Sequence, residues 1–511
     1  MNTSQQRMGL KALLPKFYIV FLPALLLCVF LLAACTDAPK ASLPGRQIPL
    51  NPCQLSAPGI ATRLPAECGK LPVYEDRAAR SGLRFDLHIA VISALSRTPE
   101  PDPLFFITGG PGEAATEDFV RVSDAFEKLK GKRDIVLVDQ RGTGKSHPLK
   151  CDSTAEESDV SDDAELVNSI RACLKQLDGD TRFYNTLPAV DDLDQVRAAL
   201  GYDKINLYGI SYGTRVVQTY MSKYPKQVRA AILDGVVPQD EALGVKMASD
   251  AQKSLDAIFA RCAADAKCSH AFPGLPGEFD ALLHRVDTQP VNIAIEHPST
   301  SERTQVRFTR DRLGSAIRLF SYSTESAALL PLLIHDSQTS GDFRRLAAQS
   351  MIVAEQVQGS INLNVHNSVV CAEDIPFYRR DGQFRGDAGA ESRSYLGEAY
   401  RKLEKICSHW PAARVASGFK SPVRSDAPVL LLSGQLDPVT PPKNADRVAA
   451  TLPNSLHLVA PGQGHGVLMR GCVSKVATEF IERGTAKGLD AGCVQDLKPS
   501  PFFLSYVGPT P

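Results

Sequence analysis

Residues 205–220 read INLYGISYGTRVVQTY, and this stretch decides the fold. Residues 205–208 are a short apolar run of strand type. From 214 to 224, Val216, Val217, Tyr220 and Tyr224 recur on one face of a helix. Between them stands Gly209-Ile210-Ser211-Tyr212-Gly213, which follows the strand and opens the helix. A strand that turns at once into a helix lifts the serine Oγ above the sheet, and the flanking glycines avoid clashes in so tight a turn. A bare Gly-x-Ser-x-Gly recurs by chance; the strand–turn–helix setting is what gives it weight. The bland alternative is a structural glycine-rich turn.

Outward from this stretch, strand and helix alternate. Residues 85–96, 104–107, 134–139 and 228–233 read as strands, and 189–200 as a helix. Residues 104–107 stop at Gly109-Gly110-Pro111-Gly112, and 134–139 stop at Gln140-Arg141-Gly142. After 425 the rhythm returns, with strands at 429–432 and 456–459 and helices near 443–451 and 473–483. Continuous apolar runs separated by helices predict a mostly parallel sheet covered on both faces. Between 241 and 424 helical stretches dominate, for example 326–336 and 343–358. The reading is therefore one α/β domain, formed by 61–240 and 425–511, interrupted by a mainly helical insertion at 241–424.

A neutral serine is a poor nucleophile and needs a base that is itself oriented by an acid. Eight histidines follow Ser211: His270, His284, His297, His335, His366, His409, His457 and His465. His457 sits inside a strand as a packing residue. His465 lies in Gly462-Gln463-Gly464-His465-Gly466, directly after the last clear strand, where an imidazole can reach Oγ. Asp437 follows the preceding strand and opens a proline-rich loop, so its carboxylate can hold the histidine tautomer. Asp426 lies at the wrong end of its strand, and Asp446 falls on a helix. Ser211, Asp437 and His465 are thus the catalytic candidates. The N–H groups of Gly110 and Tyr212 are the candidate oxyanion donors; Pro111 has none to offer.

The motifs Gly109-Gly110-Pro111-Gly112, Asp139-Gln140-Arg141-Gly142-Thr143-Gly144-Lys145-Ser146 and Gly209–Gly213, then Asp437 and His465, together resemble the α/β-hydrolase serine peptidases. The similar groups are the prolyl aminopeptidases and the exported tripeptidyl aminopeptidases. The resemblance implies an α/β-hydrolase fold with a large, mainly helical lid, short peptide substrates and no cofactor. Prolyl aminopeptidases usually carry His before the Gly-Gly-Pro-Gly turn; here it is Thr108, which argues against a strict proline preference. Asp139 and Arg141 are expected to order the loop beside the site rather than bind substrate. Val370-Cys371-Ala372-Glu373-Asp374-Ile375-Pro376 resembles the Cys-and-acid segment of the tripeptidyl lid, where an acid meets the substrate amine. That makes Glu373 and Asp374 the candidate amine site, Glu373 first for its reach; the alternative is a solvated acidic pair near a helix end. An esterase using the same triad and a catalytically silent binding lipoprotein are the competing functions.

Composition sets the compartment. The 511 residues carry 57 Lys+Arg against 57 Asp+Glu, so no basic excess points to nucleic acid. Arg7, Lys11 and Lys16 precede an uncharged run, 17–34, which ends in Leu32-Ala33-Ala34-Cys35 and resembles the lipobox of bacterial lipoproteins. Residues 1–34 are then a signal peptide, Cys35 takes the lipid, and 35–60 form a tether. A permanent transmembrane anchor is the alternative. Thr36 after the cysteine, by analogy with enteric lipoproteins, points to the outer membrane, facing the periplasm. Removing residues 1–34 leaves 54 basic and 57 acidic residues, a net of −3. Export permits disulfides. Besides Cys28 and Cys35, ten cysteines form five sequential couples: Cys53 and Cys68, Cys151 and Cys173, Cys262 and Cys268, Cys371 and Cys407, Cys472 and Cys493. Neighbour pairing is the simplest expectation. No metal site is expected, because there is no CxxC and no His at ligand spacing from two cysteines.

Overall fold

Among the described residues, nine strands form one sheet in the order β1-β2-β3-β5-β4-β6-β7-β12-β13. They are β1 (Asn51–Leu55), β2 (Leu64–Asp76), β3 (Ser81–Ile92), β4 (Leu104–Ile107), β5 (Ile135–Val138), β6 (Ile205–Ile210), β7 (Val228–Asp234), β12 (Val429–Gly434) and β13 (Ser455–Ala460). The computed structural model describes residues 46–151, 163–358, 361–380, 383–384, 394–397 and 399–508. The expected signal segment, Cys35 and the first part of the tether lie outside the described residues.

From β5 to β13 every pairing is parallel, and β1, β2, β3 and β5 pair antiparallel. The central strands β4, β5 and β12 are buried at every position, which is why they read as unbroken apolar runs. Phe106, Phe119, Phe126 and Tyr208 pack ring to ring on one face, with centroids 5.2–5.6 Å apart. Helices Ala115–Val122 (α1) and Val473–Arg483 cover that face.

One expectation needs correction. The end of the tether is not a linker: β1 pairs with β2 from Asn51↔Cys68 to Leu55↔Leu64, and Cys53–Cys68 joins the two strands. The segment between β7 and β12 is mainly helical, as expected. It carries a hairpin, β8 (Val291–Glu296) with β9 (Arg303–Phe308), whose alternate side chains Ile293, Val306 and Phe308 are buried. A two-residue pair, β10 (Arg379–Arg380) with β11 (Gln383–Phe384), lies further on. This segment has an apolar core of its own, including Leu255, Leu282, Ile317, Phe320, Leu333 and Leu346.

All five neighbouring cysteine couples are disulfide-bonded. Among the described residues, no helix is long and apolar enough to cross a membrane.

Candidate active site

Ser211 sits between β6 and helix Tyr212–Lys223, with φ 55° and ψ −125°. A non-glycine residue there is strained by about 1–3 kcal/mol and persists only where its neighbours hold it. The neighbours do so. The Ser211 N–H donates to the Asp234 carbonyl at 2.9 Å, and Thr214 Oγ1 donates to the Ser211 carbonyl at 2.6 Å. The flanking glycines are obligatory. A Cβ on Gly209 would stand 2.6 Å from the Gly213 carbonyl oxygen, and one on Gly213 would stand 2.4 Å from that of Ile107.

His465 and Asp437 meet at the ends of β13 and β12. Asp437 Oδ2 accepts from His465 Nδ1 at 2.8 Å and from Thr440 Oγ1 at 2.7 Å. Its Oδ1 accepts the N–H groups of Val439 and Thr440, both at 2.8 Å. Burial alone would raise the Asp437 pKa; the His465 charge and these bonds outweigh it and hold the carboxyl below its ordinary range. Burial likewise pulls His465 down, but Asp437 outweighs it and the imidazole sits above its usual pKa. The His465 N–H donates to the Tyr322 carbonyl at 2.7 Å, and the Tyr322 ring meets the imidazole edge-on at 5.2 Å. Asp234 ties this loop to the serine turn: while its carbonyl accepts from Ser211, its carboxylate accepts the N–H groups of Val467 and Leu468. Among the described residues, neither Ser211 Oγ nor His465 Nε2 has a hydrogen-bond partner, so their mutual bond is not formed here. Free enzymes often close this bond only around substrate.

The Gly109–Gly112 turn follows β4. Its Gly110-Pro111 peptide is cis, and Gly110 has φ 97°. Among the described residues the N–H groups of Gly110 and Tyr212 have no acceptor; Tyr212 opens its helix, where N–H groups lack an intrahelical partner. Two backbone donors next to the serine turn are thus left free.

Residues 102–319 match the family model described as alpha/beta hydrolase fold, and 393–493 that described as TAP-like protein. The chain is 27% identical over 492 residues to serine protease Hip1 of Mycobacterium tuberculosis, covering 88% of this chain and 91% of that one. It is 22% identical over 478 residues to the tripeptidyl aminopeptidase of Streptomyces lividans, covering 86% and 85%. A shorter match, 28% over 144 residues, links it to proline iminopeptidase of Neisseria gonorrhoeae, covering 28% and 34%. The chain has the α/β-hydrolase fold. It is an enzyme of the serine-hydrolase type.

In this fold the expected amine site is buried and bonded to internal donors. Glu373 is fully buried; its carboxylate accepts the Thr186 N–H at 2.7 Å and the Thr186 hydroxyl at 2.8 Å. Asp374, also fully buried, pairs with Arg215 at 2.9 Å and Lys420 at 3.0 Å and accepts the Leu243 N–H at 2.8 Å. Both acids accept from internal donors, and neither is a solvated surface acid. Arg141 has the structural role expected of it: it forks onto Asp192 at 2.7 and 2.9 Å and caps the carbonyls of Glu75 and Phe183. Asp139 accepts from Thr116 and from the Lys145 N–H. Among the described residues no group of three His, Cys, Asp or Glu could hold a metal.

The structure adds an acid that the sequence reading passed over. Glu113 directly follows the Gly109–Gly112 turn, and its Oε2 accepts the Gly109 N–H at 3.1 Å. The point where a Gly109 Cβ would stand is 3.1 Å from Ser211 Cβ and 3.4 Å from Glu113 Oε2, so the acid lies beside the serine. Thr108 Oγ1 is 2.8 Å from Glu113 Oε2 and 2.5 Å from Asp118 Oδ2. One hydroxyl proton cannot serve two carboxylates, so the pair holds a further proton. Burial, and then Asp118, push Glu113 up to about 7. Burial also raises Asp118.

Proposed function

We propose that Ser211, His465 and Asp437 form the catalytic triad of an exported, lipid-anchored aminopeptidase that cleaves short units from peptide N-termini. The observation that carries this reading is the buried Asp437–His465 bond beside a serine held at positive φ. It is supported by relatives whose names are serine protease and tripeptidyl aminopeptidase. In the proposed cycle His465 Nε2 takes the Ser211 Oγ proton as Oγ bonds to the scissile carbonyl carbon. The N–H groups of Gly110 and Tyr212 receive the oxyanion. His465 returns the proton to the leaving amine as the C–N bond breaks. Water, deprotonated by His465, then cleaves the ester and frees Ser211. Asp437 holds the Nδ1–H tautomer and stabilises the imidazolium. On this reading Cys35, acylated after loss of residues 1–34, anchors the enzyme to the outer membrane facing the periplasm.

The test is a library of free-amine peptides, N-acetylated peptides and simple esters, read by mass spectrometry. Release of N-terminal fragments from free-amine peptides alone is expected. Turnover confined to esters would replace the aminopeptidase with an esterase. Ser211→Ala is expected to lower turnover by roughly four to six orders of magnitude and to abolish fluorophosphonate labelling. Retained turnover in the purified variant would overturn the triad.

A further inference from the structure

Glu373 is a buried acid without a role in the cycle above. It ends helix Leu363–Glu373, and its partners lie far away in the chain. Thr186, the first residue of helix Thr186–Ala199, donates its hydroxyl to Glu373 Oε2 at 2.8 Å. With that proton committed, Thr186 Oγ1 must accept from the Tyr212 hydroxyl, 2.7 Å away. The direction of the chain is therefore set: Tyr212 O–H to Thr186 O–H to carboxylate. All three residues are at most 2% exposed, so no water competes for these bonds.

We infer that Glu373 is a positioning residue for the oxyanion hole, acting through Thr186 on Tyr212. The inference rests on the proposed triad and on Tyr212 as donor. Tyr212 is the first residue of the helix behind Ser211, and its N–H is half of the proposed hole. Fixing its phenol fixes the rotation of the residue whose backbone must point at the oxyanion. Anchoring of the inserted segment is a separate task, and Asp374 performs it: this neighbour takes the cations Arg215 and Lys420, while Glu373 stands 3.6 Å from Arg215.

The opposite end of the same helix reaches the other half of the hole. The Asn362 N–H donates to the Gly112 carbonyl at 2.9 Å. A Cβ on Gly112 would stand 2.5 Å from the Asn362 carbonyl oxygen. Cys371–Cys407 ties the helix to the segment that follows. One helix therefore spans the turn of Gly110 and the helix start of Tyr212, and can set the two donors relative to each other.

The decisive variants are Tyr212→Phe and Thr186→Val, which remove one hydroxyl each and keep the shape. Each is expected to lower kcat by about tenfold, a fraction of the 10²–10³ lost when an oxyanion donor is deleted. KM should stay unchanged. Affinity for a peptide aldehyde, whose adduct carries the oxyanion, should fall by the same factor as kcat. The double variant should be no worse than either single one, because both break the same chain. Glu373→Gln, which keeps an acceptor for the Thr186 N–H and can donate to its hydroxyl, should retain most activity where Glu373→Ala does not. Wild-type kcat and aldehyde affinity in folded Tyr212→Phe would overturn the inference. So would losses in KM alone. Failure of the triad itself would show separately, as turnover surviving Ser211→Ala.

Discussion

The strand ends and the seam of the inserted segment both bury acids, but they satisfy them differently. At the strand ends carboxylates accept backbone N–H groups, some a few residues away and some from a loop at the end of another strand. Asp437 takes Val439 and Thr440, Asp234 takes Val467 and Leu468, and Asp139 takes Thr116 and Lys145. At the seam, charge meets charge: Arg215 and Lys420 converge on Asp374, and both also donate to the Glu241 carbonyl. Backbone donors preorganise a site because they do not move when charge develops. Ion pairs between distant segments hold those segments in register, at a desolvation cost that makes losing one partner expensive.

Replacement of one acid in each region separates these roles. Asp437→Asn is expected to leave folding intact and lower kcat by about 10³–10⁴, because the amide favours the wrong imidazole tautomer. Steady-state kinetics with unchanged circular dichroism and melting would fit; a loss explained by unfolding would not. Asp374→Asn should do the reverse. It leaves Lys420 without a carboxylate and Arg215 with Glu373 alone, at 3.6 Å, and breaking a buried pair in this way costs about 3–5 kcal/mol. A large drop in melting temperature is expected, and an unchanged melt would show that the seam is not held by this cluster. Burial would raise Asp374, but Arg215 and Lys420 hold it below the ordinary carboxylate range. Its contribution is therefore present above the ordinary pKa of an aspartate and is lost as pH falls through the lowered one.

The same contrast explains what could be read from the sequence. The Ser211 turn, the Gly109–Gly112 turn and the loops of Asp437 and His465 are local devices, and local chemistry leaves local signs. Thr440 was within reach as well, since Asp437-Pro438-Val439-Thr440 is an acid followed by a turn whose N–H groups it accepts. Strands β1 and β2 were not legible, because Pro52, Pro65, Gly69 and Pro72 break their alternation. Strands β8 and β9 bury only alternate residues, with Asn292, Arg303 and Arg307 exposed between them. Glu373 misled for a different reason. Its bond to Thr186 spans 187 positions and the Arg215–Asp374 pair spans 159, and no periodicity connects such residues.

Glu113 stands between the two regimes, and it offers the smallest but sharpest test. Its carboxyl is anchored like those of the strand ends, by the Gly109 N–H, yet it faces a second acid, Asp118, across one hydroxyl. With its pKa pushed up to about 7, the folded protein binds more protons than the unfolded chain between the ordinary glutamate range and 7. Stability from this group is therefore full at low pH and is lost as pH rises through 7. Glu113→Gln mimics the protonated acid. Its melting temperature relative to the natural protein should be near equal at pH 5 and higher at pH 8. Ionised Glu113 also helps to raise His465. Removing that charge should move the acid limb of the kcat/KM profile, where His465 must lose its proton to act as base, to lower pH. A melting difference that is the same at every pH, with an unmoved acid limb, would mean that Glu113 carries no charge change in this range.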